Sequence, residues 1–180
     1  MVRCMSLLRF LGLGHDAPAG GAGAETETVR RVVAALDRME PEAARHVARF
    51  AYILGRVASA DWGVSAEETR LMERTVMERA GLTEEQAILV VQIAKSQQAL
   101  FGGTEDYLVT REFASTATHE QKLGLLHCCM AVAAVDADVS GPEDAAVREI
   151  AGELGLSHEE FIAARSEYRD ALAVLKPPRG

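Results

Sequence analysis

The apolar residues of this chain recur at three- and four-residue steps, and no stretch alternates apolar and polar positions as a half-buried strand would. Val29, Val32, Val33 and Leu36 form one stripe. Val47, Phe50, Ile53, Leu54 and Val57 form another within "PEAARHVARFAYILGRVASA", where Pro41 takes the early helical position that suits its fixed φ and missing N–H. "KLGLLHCCMAVAAV" is apolar nearly all round, which predicts a helix enclosed by others. It is far too short for a bilayer, which takes roughly 20 residues.

Helix starts are marked as clearly as helix faces. Ser65 with Glu68, Thr83 with Gln86, Thr118 with Gln121, Ser140 with Glu143 and Ser157 with Glu160 are all capping boxes. In each, the hydroxyl and the later carboxylate or amide satisfy free backbone N–H groups reciprocally. Midway, "FGGTEDYLVTREFAS" predicts a helix ended by Gly102 and Gly103 and a short one starting near Thr104.

On either side of that break the chain resembles itself. Asp61, Val64, Ser65 and Glu68 return as Asp136, Val139, Ser140 and Glu143, an offset of 75 from 61 to 136. "AGLTEEQ" returns as "LGLSHEEF" with Gly81 at Gly155, an offset of 74, so one residue is lost in between. The expectation is an all-α fold: one compact domain of about seven or eight helices, built from two three-helix units related by a pseudo-twofold. A lone unit would leave one side of its apolar stripe in water. The domain is placed at residues 26–176, with repeat units about 41–98 and 118–174. Residues 1–25 read as a short helix and a Gly/Ala-rich linker, and 177–180 as a tail.

Composition narrows the function. A content of 48% hydrophobic and 26% charged residues is that of an ordinary globular protein, and 5% aromatics with abundant Ala, Leu, Glu and Arg favours helices. A net charge of -8 without a basic stripe argues against a nucleic-acid partner. The cysteines, Cys4, Cys128 and Cys129, are odd in number and lack zinc-site spacing, as suits a reducing cytosol. "MVRCMSLLRFLGLG" imitates a signal sequence, but it is short and Arg9 interrupts it. The expected location is therefore the cytoplasm, with residues 1–13 a candidate amphipathic contact to a partner or a membrane surface.

The two acidic turns, "SADWGVSAEE" and "VDADVSGPED", admit two readings. In one, Ser65 and Ser140 cap their helices, and Glu68 and Glu143 at the third helical position favour the helix dipole by about 0.3 to 1 kcal/mol. In the other, the turns hold divalent cations. Asp61, Asp136 and Asp138 fall at or just beyond predicted helix C-termini, where the dipole disfavours an anion and carbonyl oxygens stand free. Asp136, Asp138 and Glu143, with Asp144 nearby, make the richer candidate site; Asp61 and Glu68, with Glu67 as a spare, make the poorer one. Neither turn is an EF-hand, lacking its sixth-position Gly and closing with Glu too early.

The remaining candidates read as packing or solvation. His127, Cys128 and Cys129 are adjacent on one helix, point about 100° apart and cannot easily grip one ion, so they are assigned to the core. His15, His46, His119 and His158 are expected in solvent. No Ser-His-Asp order, P-loop or dinucleotide fingerprint is present, so an enzyme is not expected. An enzyme built on Cys128 or Cys129 would need a reachable thiol of low pKa.

The duplicated acidic, Val-Ser, Glu turns, each followed by a helix and then "GLTEEQ" or "GLSHEEFIAAR", resemble those of the tellurite-resistance TerB-like family. That family includes stand-alone bacterial members and a domain of some DnaJ-type co-chaperones. The resemblance spans roughly Thr28 to Leu175. It implies an all-helical pseudo-twofold fold, a cytoplasmic role in stress or metal response, divalent-cation binding (Ca²⁺ or Mg²⁺) at the acidic turns, and association with other proteins, a homodimer among them. No catalytic activity comes with it. The family's turn has Asp-Gly, whereas here Trp62 and Ala137 follow the aspartates. Glycine would let the backbone turn tightly round an ion; Trp62 is instead a candidate partner contact. The alternative function is a metal-free scaffold or homo-oligomerisation domain.

Overall fold

A computed structural model of the chain describes residues 27–57, 66–100, 106–135 and 141–175. Those residues form eight α-helices and no strand: α1 (Glu27–Leu36), α2 (Pro41–Val57), α3 (Ala66–Ala80), α4 (Glu84–Leu100), α5 (Asp106–Thr116), α6 (His119–Val135), α7 (Gly141–Glu153) and α8 (His158–Leu175). The all-α architecture and the helix number agree with the periodicity and the caps.

Local signals act where they were expected. The Thr83 amide donates to Gln86 Oε1 at 3.0 Å and the Gln86 amide to Thr83 Oγ1 at 3.3 Å. Thr118 with Gln121 and Ser157 with Glu160 close in the same reciprocal way. Ser65 and Ser140 lie outside the described residues. Gly81 and Gly155 end α3 and α7 with φ of 64° and 71°, a conformation that only glycine adopts without a Cβ penalty. Beyond α7 the Leu156 amide reaches back to the Ala151 carbonyl and the Gly155 amide to that of Gly152, both at 3.0 Å, which satisfies carbonyls the helix leaves free.

The central helices are α2 and α6, which pack on each other. The second is touched by α2, α3, α7 and α8, and so it is apolar nearly all round: Leu125, Leu126, Cys128, Cys129 and Met130 are all buried. With Phe50, Ile53 and Leu54 of α2 they make the core, each large side chain contributing about 1.5–3 kcal/mol of apolar burial. The packing is crosswise. The first repeat's α3 rests on α6, and the second repeat's α7 rests on α2; α4 packs on α2 as α8 packs on α6.

One residue type makes the two crossings different. A Cβ on Gly124 of α6 would lie 2.4 Å from the Arg79 carbonyl oxygen and 3.1 Å from Ala80 Cα, so the backbones of α3 and α6 touch there. The offset of 75 puts Arg49 of α2 at the equivalent place. At that crossing α5 packs against both α2 and α7.

Candidate functional site

Asp61, Trp62, Ser65, Asp136, Asp138 and Ser140 lie outside the described residues. Glu68 and Glu143 belong to the first turns of α3 and α7, but their side chains also lie outside, as does that of Glu67. Along the chain, Asp136 directly follows Val135, the last described residue of α6, and Asp61 comes four residues after Val57, the last described residue of α2. Asp144, considered with the richer turn, is engaged by guanidinium groups. Arg165 Nε of α8 sits 2.8 Å from its Oδ1 and Arg148 Nη2 3.4 Å from its Oδ2. Among the described residues no three His, Cys, Asp or Glu side chains converge as a metal would require.

The described charge constellation that sequence reasoning missed joins α2, α5 and α7. Arg56 Nη1 donates to Glu153 Oε2 at 2.5 Å and to Thr110 Oγ1 at 2.6 Å, with both the Arg56 and Glu153 side chains only 9% exposed. Asp106 Oδ2 lies 3.6 Å from Arg56 Nε, and its Oδ1 accepts from the Tyr52 hydroxyl at 2.8 Å. Burial alone would lower the pKa of Arg56, but the hydrogen bond and charge of Glu153, and then the charge of Asp106, raise it above the ordinary arginine value. A sequence signal existed: Arg49, Tyr52 and Arg56 recur at steps of three and four and so share one face of α2. Asp106, Thr110 and Phe113 do the same on α5.

At the other crossing the equivalent of Glu153 is Arg79, two residues before Gly81 as Glu153 is two before Gly155. Arg79 Nη2 donates to Glu167 Oε1 of α8 at 2.5 Å, but this pair is 41% and 48% exposed. His127 Nδ1 lies 3.7 Å from Glu167 Oε2, too far for a hydrogen bond, and among the described residues it has no hydrogen-bond partner. The outer helices thus meet the opposite half through a charged residue at matching positions. The sign is reversed, and so is the degree of burial.

The thiols are core residues, as expected. Cys128 and Cys129 are 1% and 0% exposed, and burial pushes both well above the usual thiol range, Cys129 to about 12. This is the opposite of the low-pKa, reachable thiol that a cysteine nucleophile needs. The expectation for the histidines needs one correction. His158 is exposed and His119 mostly so, its Nε2 lying 2.7 Å from Glu160 Oε1. His46 is instead drawn inward against Phe113 and Phe50, with ring centroids 5.0 and 6.2 Å away. The reason is position: His46 falls one residue before Val47 on a helix whose apolar arc is wide enough to take it in. His15 lies outside the described residues.

Burial first, and then the charge of Arg49, lowers the pKa of His46; burial, with Arg79 adding to it, lowers that of His127. A histidine whose folded pKa is depressed binds fewer protons folded than unfolded. Its contribution is intact above its unfolded value of 6.5 and is lost as the pH falls through the folded one. Urea unfolding should therefore show stability falling from pH 7.5 to pH 5.5, each such histidine contributing at most about 1.4 kcal/mol per pH unit. His46→Gln should flatten that slope; an unchanged slope would show that His46 does not titrate this way.

No curated protein and no solved structure matches the chain. The family model described as Tellurite resistance protein TerB matches residues 48–166, from the middle of α2 into α8. That match takes in both crossings and α5, well over half of the sequence, and the chain accordingly belongs to the TerB family.

Proposed function

We propose that this protein is a non-enzymatic cytoplasmic module that binds a divalent cation, Ca²⁺ or Mg²⁺, at its acidic turns and associates with other proteins in a tellurite, metal or envelope stress response. Asp136, Asp138 and Glu143 are the ligands of the main site, Asp61 and Glu68 of a weaker one. Ser65 and Ser140 shape the turns, and Trp62 contacts the partner. The observation that carries this reading is the sequence position of Asp136, directly after the described residues of α6 and ahead of α7, where a helix C-terminus is expected. Unpaired carbonyls make a helix C-terminus a poor place for an anion and a good one for a cation. Carboxylate and carbonyl oxygens are also the donors that hard divalent ions take.

The crosswise packing supports the second half of the reading. Each turn joins a central helix to the outer helix that lies on the opposite repeat, α2 to α3 and α6 to α7. An ion that draws a turn together therefore biases how the halves meet. Calorimetric titration with Ca²⁺ and Mg²⁺ tests the proposal. We expect saturable binding and a melting temperature that rises with ion concentration, both lost in Asp136→Asn. The same heat and the same melting temperature in wild type and Asp136→Asn would sink it.

One observation favours the alternative of a metal-free scaffold or homo-oligomerisation domain. Glu160, in the box equivalent to a Ser-x-x-Glu turn, is taken up by its cap: Oε2 accepts from the Ser157 amide at 2.7 Å. Glu143 used in the same way by Ser140 would have one oxygen fewer for an ion.

A further inference from the structure

The described group with the least adequate surroundings is Arg49. Its side chain is 8% exposed, yet among the described residues it makes no hydrogen bond, and Nε is buried without a partner. The nearest anion is Glu112 Oε2, 3.6 Å from Nη2, on a side chain 55% exposed. Buried guanidinium groups are ordinarily met by several acceptors, because five N–H donors leave water when the group is covered.

Arg49 lines a cleft of about 350 Å³ together with Glu42, His46, Gln86, Thr116 and Gln121. The two glutamines are informative. Each spends its side-chain oxygen on a capping box, Gln86 accepting from the Thr83 amide and Gln121 from the Thr118 amide. What each retains uncommitted is its whole NH₂ group, with two donors, and one lone pair of an oxygen already held by the cap. Arg49 is donor only, and among the described residues Nε2 of His46 is buried with no hydrogen-bond partner. The cleft is therefore rich in donors, and among the described residues its lining carboxylate, Glu42, is already paired with Arg45.

We propose that this cleft binds a small carboxylate ligand, gripped in two-pronged fashion by the Arg49 guanidinium and hydrogen-bonded by the Gln86 and Gln121 side-chain amides. The planar fork of arginine matches a carboxylate. A single negative charge suits the site better than a doubly charged phosphate does, since Glu112 and Glu42 stand nearby and only Arg45, paired with Glu42, adds a second cation. Glu112 competes with the ligand for Arg49 and turns out into solvent when the ligand binds. This site is independent of the acidic turns, and its failure would leave the cation reading untouched.

The test is a ¹H–¹⁵N NMR titration with sodium propionate, set against sodium chloride and sodium phosphate at equal ionic strength. The Arg49 Nε–H and the Gln86 and Gln121 NH₂ signals should shift to saturation with propionate and not with chloride. Arg49→Gln should abolish the shifts. Glu112→Gln, which removes the competitor from an exposed position, should tighten binding by about three-fold or more. Should Arg49→Gln fail to fold, the Glu112→Gln comparison still decides. Shifts that never saturate, chloride or phosphate matching propionate, or a Glu112→Gln affinity equal to wild type would each overturn the proposal.

Discussion

Replacing Arg56 with alanine should destabilise the protein by about 3–5 kcal/mol, because it leaves a buried carboxylate without its counter-charge. The magnitude follows from burial, not from the ion pair as such. The Arg56 and Glu153 side chains are each 9% exposed, and Thr110 and Tyr52, at 0% and 1%, close the site around them. Removing the guanidinium strands Glu153 and weakens the hold on Asp106 together. The Arg79–Glu167 pair at the opposite crossing supplies an internal control. It is as short, 2.5 Å, but 41% and 48% exposed, and Arg79→Ala should cost at most about 1 kcal/mol. Replacing both members, Arg56→Met with Glu153→Leu, should recover part of the loss, since no carboxylate is stranded at position 153, while Thr110 and Asp106 still lose the guanidinium. Denaturant unfolding of the four proteins checks this. Equal costs for Arg56→Ala and Arg79→Ala would show that burial does not set the scale.

Gly124→Ala gives the second large effect, and its sign is the informative part. In an open helix position alanine is better than glycine by about 0.8–1.0 kcal/mol. At Gly124 the added methyl would meet the Arg79 carbonyl oxygen at 2.4 Å, and backbone cannot swing aside as a flexible side chain can. Helices α3 and α6 must separate, and overpacking of this kind costs about 1–3 kcal/mol, which outweighs the propensity gain. Gly152→Ala in α7 is the matched control, because a Cβ there meets nothing within 4 Å. That substitution should stabilise by about 0.5–1 kcal/mol. Thermal melts that moved in the same direction for both variants would rule out close backbone contact at Gly124.

What the sequence disclosed and what it withheld divide along the range of the interactions. Helices and caps were legible because their signals are local. Thr83 finds Gln86, Thr118 finds Gln121 and Ser157 finds Glu160 within a single turn, whatever the rest of the chain does. The matching glycines, Gly81 and Gly155, likewise announced two related helix ends. The Arg56 junction was not legible as a junction. Its members come from α2, α5 and α7, separated by 54 and 97 residues, and no periodicity says which distant acid answers a given arginine. The polar line of Arg49, Tyr52 and Arg56 was visible as a face but not as a site.

His46 and Asp144 show the same limit from the other side. Treating His46 as solvated weighed its polarity and overlooked the neighbouring arc of Val47 and Phe50, so the ring goes inward beside Phe113 of α5. Asp144 stands beside the acidic turn in sequence, yet it is answered by Arg165 from the following helix. Proximity along the chain suggested a metal ligand where tertiary packing supplies a guanidinium. The internal duplication, by contrast, carried real tertiary information. It places α3 and α7 as equivalents, and each indeed lies across the other repeat's central helix.

The central functional claim is that the C-terminal acidic turn holds a divalent ion. The most direct measurement is anomalous diffraction from crystals grown with Mn²⁺, which marks Ca²⁺ and Mg²⁺ sites by its own scattering. A peak bonded to carboxylate oxygens of Asp136, Asp138 and Glu143 at about 2.0–2.6 Å, the range spanned by the two natural ions, is expected. A turn whose three carboxylates point apart with no peak among them, Glu143 closing on the Ser140 amide as Glu160 closes on that of Ser157, would contradict it.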